Sequence, residues 1–346
     1  MKNVSLGIDV ARLTFVAALW FGNGRFAKAT FDNQVGGFRK LRRWLQAHNA
    51  GHVRCALEST NTYGEALAEW LYKEGHAVHI LNPERTACYA RSVGQRNKTD
   101  PVDAVMIARF ISVHACTPWR PPAPEQKTLR SLTRTRHQLV EYSKQLRNQL
   151  KTADVTAQRY LQATLEAIRQ QLGAIVRAIG QHLEAHPVLG EQVRRMMTMK
   201  GVGLVTAAVT LAELPPITPD TDPRAICAWA GLTPRRWQSG KTEWRTCLSR
   251  KGNVYLRQAL YMPALVAKRH NPLLHAFAQQ LAAKGKTSGA ILGAISHKML
   301  RILVGLLRTN TDFNPNYSLQ KTEPRLDLHR KKLLAGVRST VHLKPA

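Results

Sequence analysis

The first 113 residues alternate between short apolar runs and amphipathic stretches, and this alternation limits the folds open to the chain. Three strand-like runs come first, with turn signals at Gly22 and Gly24. A meander followed by β-α units predicts an α/β domain with a mixed sheet. The predicted strands cover residues 4–10, 14–20, 26–31, 53–58 and 76–81, and the predicted helices cover about 37–47, 63–73, 83–91 and 101–113.

A proline cluster ends this pattern, and it contains Pro118, Pro121, Pro122 and Pro124. Such a cluster neither continues a helix nor enters a central strand, so it predicts a boundary. From Leu129 to Leu183, leucine and isoleucine recur at helical spacing with Arg, Lys and Gln between them. This spacing predicts two long helices in an antiparallel or intermolecular coiled coil.

The segments beyond these helices complete the predicted organisation. Residues 191–308 have helical periodicity with Pro and Gly punctuation, and the tail beyond Asn310 is basic and poorly periodic, as in a disordered, solvated end. The predicted segments are 1–117, an α/β domain; 118–187, assembly helices; 188–310, a mainly helical domain; and 311–346, a basic tail.

Charge indicates the class of partner. The chain has 346 residues with 51 Lys and Arg against 22 Asp and Glu, a formal charge of +29. The positive residues are spread over the whole chain, which favours nucleic acid over a lipid surface. Five scattered cysteines without a C-x-x-C pair argue against disulfides or zinc and fit a reducing cytoplasm. We expect no signal peptide and no membrane span.

Four carboxylates occupy pivotal positions. Asp9 and Glu58 each end a predicted strand, where α/β sheets bind ligands. We interpret Asp100 as a helix N-cap with Pro101 at the first helical position, which puts Asp103 on nearly the same helix face. If the two strands are neighbours, the four acids converge, and their repulsion requires a divalent cation. Mg²⁺ prefers such hard oxygen ligands.

Each acid also has a structural interpretation. Asp100 alone fits a simple helix cap, Asp103 a solvated acid favoured by the helix dipole, and Glu58 a surface loop residue. Asp9 is harder to explain in this way, because an aspartate among the apolar residues of a short strand is poorly placed for solvent.

A serine in a basic, glycine-flanked loop is the second candidate site. Ser239 could act as a nucleophile if a base or metal activates it, although such loops more often only contact phosphate. Ser249 is a rival candidate. The basic residues expected to hold phosphate near these serines are Arg235, Arg236, Lys241, Arg250 and Lys251.

A third candidate site is the Lys200-Gly201-Val202-Gly203 segment, which is typical of a helix-hairpin-helix. Its Gly-x-Gly turn would expose backbone N–H groups that bind phosphate without reading sequence. A plain turn between two helices is the alternative.

Five motifs in this order carry a resemblance to one family. They are Gly7-Ile8-Asp9, residues 57–63, residues 96–104, Gly201-Val202-Gly203 and residues 230–240. Together they resemble the DEDD transposases of the IS-one-ten type, which include the Piv-like DNA invertases. The resemblance covers roughly residues 4–308. The Asn61-Thr62 pair and the long basic tail depart from the family pattern, and neither touches the expected catalytic set.

The resemblance implies a fold and a catalytic set. The fold would be a RuvC-like (RNase H-like) domain, a coiled-coil insertion and a C-terminal transposase domain. Asp9, Glu58, Asp100 and Asp103 would bind Mg²⁺. Ser239 would attack a DNA phosphate and form a covalent phosphoserine.

The resemblance also implies partners. A structured bridge RNA would pair with donor and target DNA, so that base pairing chooses the sequence and the protein contacts backbone and shape. Arg96 and Lys98, within a matching motif, would contact nucleic acid. Because Ser239 and the acids fall in different predicted domains, we expect a dimer or tetramer that shares sites between subunits.

Two other functions fit the same residues. One is a RuvC-like Mg²⁺-dependent endonuclease in which water is the nucleophile and Ser239 only binds phosphate. The other is a non-catalytic packaging or RNA-binding protein whose acids are structural. A sugar or acetate kinase, which also starts with a Gly-Ile-Asp strand, is disfavoured because neither half of the chain has a glycine-rich phosphate loop.

Overall fold

A computed structural model describes residues 4–58, 62–95, 97, 99–235, 238–239, 242–243 and 247–315. The chain forms two units, Met1–Thr128 and Leu129–Ala346. The finer division predicted at residues 117/118, 187/188 and 310/311 stays a prediction.

The first unit is built on a mixed sheet of five strands in the order β3-β2-β1-β4-β5. Strands β1, β2 and β3 pair antiparallel, whereas β4 runs parallel to β1 and to β5. This confirms the predicted α/β domain with a mixed sheet. The strands are β1 (Ser5–Val10), β2 (Thr14–Gly22), β3 (Arg25–Asp32), β4 (Arg54–Glu58) and β5 (Ala77–Leu81). The helices are α1 (Val35–Ala47), α2 (Glu65–Lys73), α3 (Pro83–Ser92) and α4 (Asp100–Val113), and a 3₁₀ turn (Thr62–Gly64) precedes α2.

Alternate residues of β1 face opposite sides of the sheet, as the pleat requires. Leu6 and Ile8 are fully buried in one core with Phe38 and Leu41 of α1 and with residues of α2. The intervening residues of β1 therefore face α4 on the other side, where Ala104 and its neighbours are buried.

The second unit is mainly helical. Its helices are α5 (Pro124–Leu150), which begins at the end of the first unit, α6 (Val155–Ala185), α7 (Pro187–Met197), α8 (Leu204–Glu213), α9 (Pro223–Trp229), α10 (Val254–His270), α11 (Pro272–Ala283) and α12 (Ser288–Thr309). Among the described residues between α9 and α10 are four two-residue strands: β6 (Pro234–Arg235), β7 (Gln238–Ser239), β8 (Thr242–Glu243) and β9 (Cys247–Leu248). The two long helices are confirmed, and the coiled coil stays a prediction.

Helices α5 and α6 are buried at one end and exposed at the other. Leu129, Ile179 and Leu183 belong to the core of the second unit. Toward the turn that joins the two helices, Tyr142 and Tyr160 are exposed. An open groove there is lined by Tyr142, Gln145, Leu146, Gln149, Thr164 and Ile168.

Helix α12 is the one helix in the described part of the chain that is long and apolar enough to cross a membrane. Half of its most apolar window is buried inside the unit, and Leu300, Leu303 and Val304 are fully buried. Core helices pass the same test of length and composition.

Candidate metal centre and serine hairpin

Helix α4 lies directly on strand β1 because β1 has almost no side chains on that face. The Ser5 hydroxyl donates a hydrogen bond to the Ala108 carbonyl at 2.8 Å. A Cβ built at Gly7 would lie 2.1 Å from the Ala104 carbonyl oxygen, so no larger residue fits there without moving the helix. Glycine in the Gly7-Ile8-Asp9 motif therefore lets helix and strand approach closely.

This contact sets the position of the acids. From Ser5 to Gly7 the strand advances about 6.6 Å, and from Ala108 back to Ala104 the helix advances about 6 Å in the same direction. One further step of the same size brings Asp9 beside Asp100, at the N-terminus of α4. Asp103 follows one turn later and is half-buried, whereas Asp100 is exposed.

Glu58 lies at the end of β4, the strand next to β1. Parallel pairing of β1 and β4 sets Ile8 opposite Leu57, so Asp9 and Glu58 end neighbouring strands at the same edge. The strands are neighbours, which was the condition under which the sequence analysis expected the acids to converge. The carboxylate of Glu58 accepts a hydrogen bond from the hydroxyl of Thr86, which is 3% exposed.

Sequence reasoning missed Thr86. The residue lies in α3, and its hydroxyl is also 2.8 Å from the Pro83 carbonyl oxygen. The helix that follows β5 begins at the same edge of the sheet as Glu58. A hydroxyl on the inward side of that helix was therefore the signal that could have indicated a partner for Glu58.

The electrostatics of Asp9 reflect this crowding. The pKa of Asp9 is raised from 3.8 to about 6, first by burial and then by the charges of Asp100, Asp103 and Glu58, in that order of size. A hydrogen bond from the Val10 backbone opposes them. The four acids therefore interact as one electrostatic group at the end of β1.

The start of α4 differs from the prediction by one residue. Thr99 is the N-cap, and its carbonyl accepts the Asp103 N–H at 2.8 Å. Asp100 and Pro101 thus occupy the first two helical positions, so the assignment of Asp100 as N-cap was wrong. Proline fits the second position because the first four N–H groups of a helix have no partner within it.

The four acids differ from a formed metal centre in geometry but share its chemistry. In the part of the chain that the structure describes, no three Asp, Glu, His or Cys side chains meet closely enough to hold a metal ion. The group nevertheless consists of hard oxygen donors whose mutual repulsion a divalent cation would relieve. These residues fit Mg²⁺ in chemistry, although their side chains do not form a closed coordination shell.

Ser239 lies in a strand rather than in the expected loop. Strand β6 pairs antiparallel with β9, and β7 pairs with β8 so that Ser239 is opposite Thr242. We call the described strands β6, β7, β8 and β9 the serine hairpin. Arg236 and Lys241 lie outside the described residues, as do Arg96 and Lys98.

Two glycines hold the base of the serine hairpin together. Gly231 has φ +72° and Gly252 has φ +147°, a backbone region that glycine tolerates best. A Cβ at Gly252 would lie 2.0 Å from the Trp229 carbonyl oxygen. The Ser249 N–H donates to Thr233 at 2.9 Å and the Arg250 N–H to Gly231 at 3.1 Å. We call residues 230–233 and 249–252 the neck.

The predicted helix-hairpin-helix corresponds to α7, α8 and the residues between them. Lys200 and Gly203 are exposed. Gly201 has φ +102°, and a Cβ there would lie 3.0 Å from the Ala267 side chain, so this glycine packs against α10. Arg250 and Lys251 in the neck are exposed and Arg235 is half-buried. Their contacts with nucleic acid stay predictions.

Family comparisons match both units. A model of the DEDD transposases of the IS110 type matches residues 6–153, and a model of the IS116/IS110/IS902 transposase family matches residues 193–279. The chain belongs to the IS110 family of transposases and DNA invertases. All four acids fall in the first matched segment, and Ser239 falls in the second.

Individual relatives cover most of the chain. It is 29% identical to the pilin gene-inverting protein of Moraxella bovis over 91% of this chain and 98% of that protein. The protein of the same name from Moraxella lacunata is 28% identical over the same shares. The transposase for insertion sequence element IS1111A of Coxiella burnetii is 26% identical over 78% of this chain and 79% of that protein.

Proposed function

We propose that this member of the IS110 family is an insertion-sequence recombinase that cleaves and exchanges DNA strands through a covalent phosphoserine at Ser239. One observation carries the proposal: in a chain of charge +29, four of only 22 acids form one electrostatic group around Asp9. A basic protein that binds phosphates gains nothing from gathering acids unless they hold a cation.

Asp9, Glu58, Asp100 and Asp103 would hold Mg²⁺ at the edge of a RuvC-like domain. When bound there, the ion would polarise the scissile phosphate and stabilise the charge that develops on it. Thr86 orients the Glu58 carboxylate through its hydrogen bond. Gly7 fixes the distance between α4 and β1 and thereby the spacing of the acids.

Ser239 would supply the nucleophile. Its oxygen forms a bond to the phosphorus as the bond from phosphorus to a deoxyribose oxygen breaks. The serine releases its proton and the departing oxygen takes one up, so neither water nor ATP is consumed. The number of phosphoester bonds is unchanged, and the reverse reaction with another DNA end therefore reseals the strand.

Basic residues would hold the substrates, namely Arg235, Arg250, Lys251 and Lys200 of the described residues. Donor and target DNA would be selected by a structured bridge RNA, which fits the charge of the chain because the protein then contacts mainly phosphate. We propose that the active particle is a dimer or tetramer that assembles through α5 and α6 and acts in the cytoplasm.

Protein-linked DNA is the decisive product. Purified protein, the RNA encoded beside the element and Mg²⁺ are incubated with labelled DNA that spans the element junction, and the sample is then denatured. We expect a covalent adduct with wild type and with Ser249→Ala, which removes the rival serine. The adduct should be absent with Ser239→Ala and with Asp9→Asn.

The same assay separates the alternatives. Free cleaved ends without an adduct would show a RuvC-like nuclease that uses water. An adduct that persists in Ser239→Ala and disappears in Ser249→Ala would move the nucleophile to the neck. Binding without cleavage that is also insensitive to Asp9→Asn would indicate a packaging protein.

A further inference from the structure

A buried carboxylate outside the acid group connects three elements of the second unit. Glu213 ends α8, and its side chain is 2% exposed. Both of its oxygens accept hydrogen bonds from the guanidinium of Arg134 on α5, at 2.7 and 2.9 Å. Two parallel bonds of this kind fix direction as well as distance.

Helix α5 holds the end of α8 at a second point. Arg130, one turn before Arg134, donates to the Ala212 carbonyl at 2.9 Å. The Arg134 guanidinium also lies over the ring of Tyr255 in α10, 4.7 Å from its centre. Helix α5 is therefore tied to the end of α8 and to the beginning of α10.

Glu213 reaches the neck through Asn253. The Asn253 amide nitrogen donates to Glu213 at 2.8 Å, and its oxygen accepts the Leu256 N–H at 3.0 Å as the N-cap of α10. Asn253 directly follows Gly252 of the neck. On the other side of the neck, the Arg257 guanidinium donates to the Ala230 carbonyl at 3.0 Å.

We propose that Glu213 is a positioning residue that fixes the serine hairpin to helix α5 by way of Asn253. The role assigned to the hairpin rests on the proposed function, because Ser239 is its reactive residue. An asparagine suits the link because its side chain donates and accepts at once, so one residue both caps α10 and binds the buried carboxylate.

The chemistry of the site favours positioning over simple stabilisation. A buried ion pair contributes little net stability compared with an apolar cluster of the same volume, but it specifies geometry. Here the ion pair specifies the position of the base of the serine hairpin relative to α5. We expect the protein to assemble through α5. Assembly along α5 would then set the position of the serine hairpin.

The test removes the hydrogen bond from Asn253 to Glu213 and keeps the N-cap of α10. Asn253→Ser and Asn253→Asp both keep an acceptor for the Leu256 N–H, but neither offers the amide donor to Glu213. Asp154→Ser makes a comparable change at the N-cap of α6 and serves as the matched control. Hydrogen exchange at the Ser249 and Arg250 amides reports the neck, and adduct formation reports the reaction.

We expect exchange at these two amides to rise about tenfold in both Asn253 variants. The rate of adduct formation should fall about tenfold or more, with DNA affinity and the exchange of α12 amides unchanged. Asp154→Ser should match wild type in every readout. Unchanged neck exchange in both variants would overturn the proposal, as would faster exchange spread over the whole unit.

The exchange readout keeps this proposal separate from the proposed function. If wild type forms no adduct, the nucleophile assignment fails, while the neck exchange still shows whether Glu213 and Asn253 hold the hairpin. If neck exchange rises in the variants but adduct formation is unaffected, Glu213 holds the hairpin without positioning the reaction, and the proposal fails.

Discussion

Asp9 in the first unit is a half-buried carboxylate and Glu213 in the second is a buried one, yet their surroundings are opposite. Glu213 accepts hydrogen bonds from Arg134 and Asn253, which match its charge and its lone pairs. Asp9 is surrounded by three more acids and gains one hydrogen bond from its own neighbour, Val10. Both positions are imposed by packing, but only Glu213 has its charge compensated by the protein.

The difference separates two uses of a buried charge. At Glu213 the fold supplies the compensation, so the group serves structure and position. At Asp9 the fold tolerates repulsion that packing of α4 on Gly7 enforces, and under the proposed function a bound cation would relieve it. Substitutions that remove or restore the compensation of the carboxylate charge at each site therefore test this difference.

Removing the carboxylate from the satisfied site should have the largest effect. Glu213→Ala removes the carboxylate that binds the Arg134 guanidinium, and we expect the free energy of unfolding to fall by about 3–5 kcal/mol. Urea unfolding measures this loss. The matched control is Glu191→Ala, which removes an exposed carboxylate that pairs with Arg194 and Arg195 and should change little. A loss no larger in Glu213→Ala than in the control would contradict the comparison.

Removing the charge of Asp9 should raise the stability of the protein, whereas removing that of Glu213 lowers it. Asp9→Asn removes a repelled charge, so metal-free protein should unfold at a higher temperature at pH 7.5. Adduct formation should nevertheless fall by at least about 100-fold, equivalent to about 2.7 kcal/mol of barrier.

Thermal unfolding in EDTA and the adduct assay with Mg²⁺ measure the two effects of Asp9→Asn. Asp32→Asn, which removes an exposed acid paired with Lys40, should leave both nearly unchanged. Destabilisation of metal-free protein by Asp9→Asn would show that Asp9 is a structural residue.

The pH dependence of stability should isolate Asp9. Its pKa of about 6 lies above the ordinary value of 3.8, so the folded state holds the proton more tightly than the unfolded chain. As pH falls from about 7 to about 4, this group therefore adds stability, about 1–3 kcal/mol for a half-buried carboxyl. The gain should be lost again as pH rises through 6.

Other acids titrate over the same range, so the measured quantity is the difference between wild type and Asp9→Asn in urea unfolding at each pH. Saturating Mg²⁺ should flatten that difference, because the ion competes with the proton. A difference that rises with pH would reverse the sign of the argument and show that Asp9 is stabilised as an anion.

The sequence predicted the first unit because its signals are local. Strand and helix periods are legible over a few residues, and strand ends bring Asp9 and Glu58 together once β1 and β4 are neighbours. The start of α4 was displaced by one residue because Thr99 and Asp100 can both cap a helix. The serine hairpin was missed because strands of two residues are too short to show alternation.

Contacts between residues far apart in the chain could not be predicted, because they produce no periodic pattern in the sequence. Arg134 and Glu213 are 79 residues apart, and Glu213 and Asn253 are 40 apart. Each is an ordinary helix or cap residue in its own segment. Thr86 is 28 residues from Glu58, and a threonine in a helix has no period that would indicate its partner. Such residues become functional candidates only after the fold places them.

Thr86 provides the smallest and most selective change at the acid group. Thr86→Val keeps the shape of the side chain and removes the hydroxyl that donates to Glu58. Residues that orient metal ligands typically change metal affinity about tenfold or more, so the Mg²⁺ concentration for half-maximal adduct formation should rise about tenfold. The maximal rate should stay nearly constant, because Glu58 is still present and excess ion restores the site.

Thr86→Ser, which keeps the hydroxyl, should restore the Mg²⁺ dependence of wild type. Thr128→Val removes an exposed threonine hydroxyl that donates to the Pro124 carbonyl, and it controls for the loss of a hydroxyl elsewhere. A lower maximal rate with an unchanged Mg²⁺ dependence would place Thr86 in the packing of α3 instead. In that case the hydroxyl of Thr86 would not orient Glu58, and the assignment of Thr86 to the acid group would be wrong.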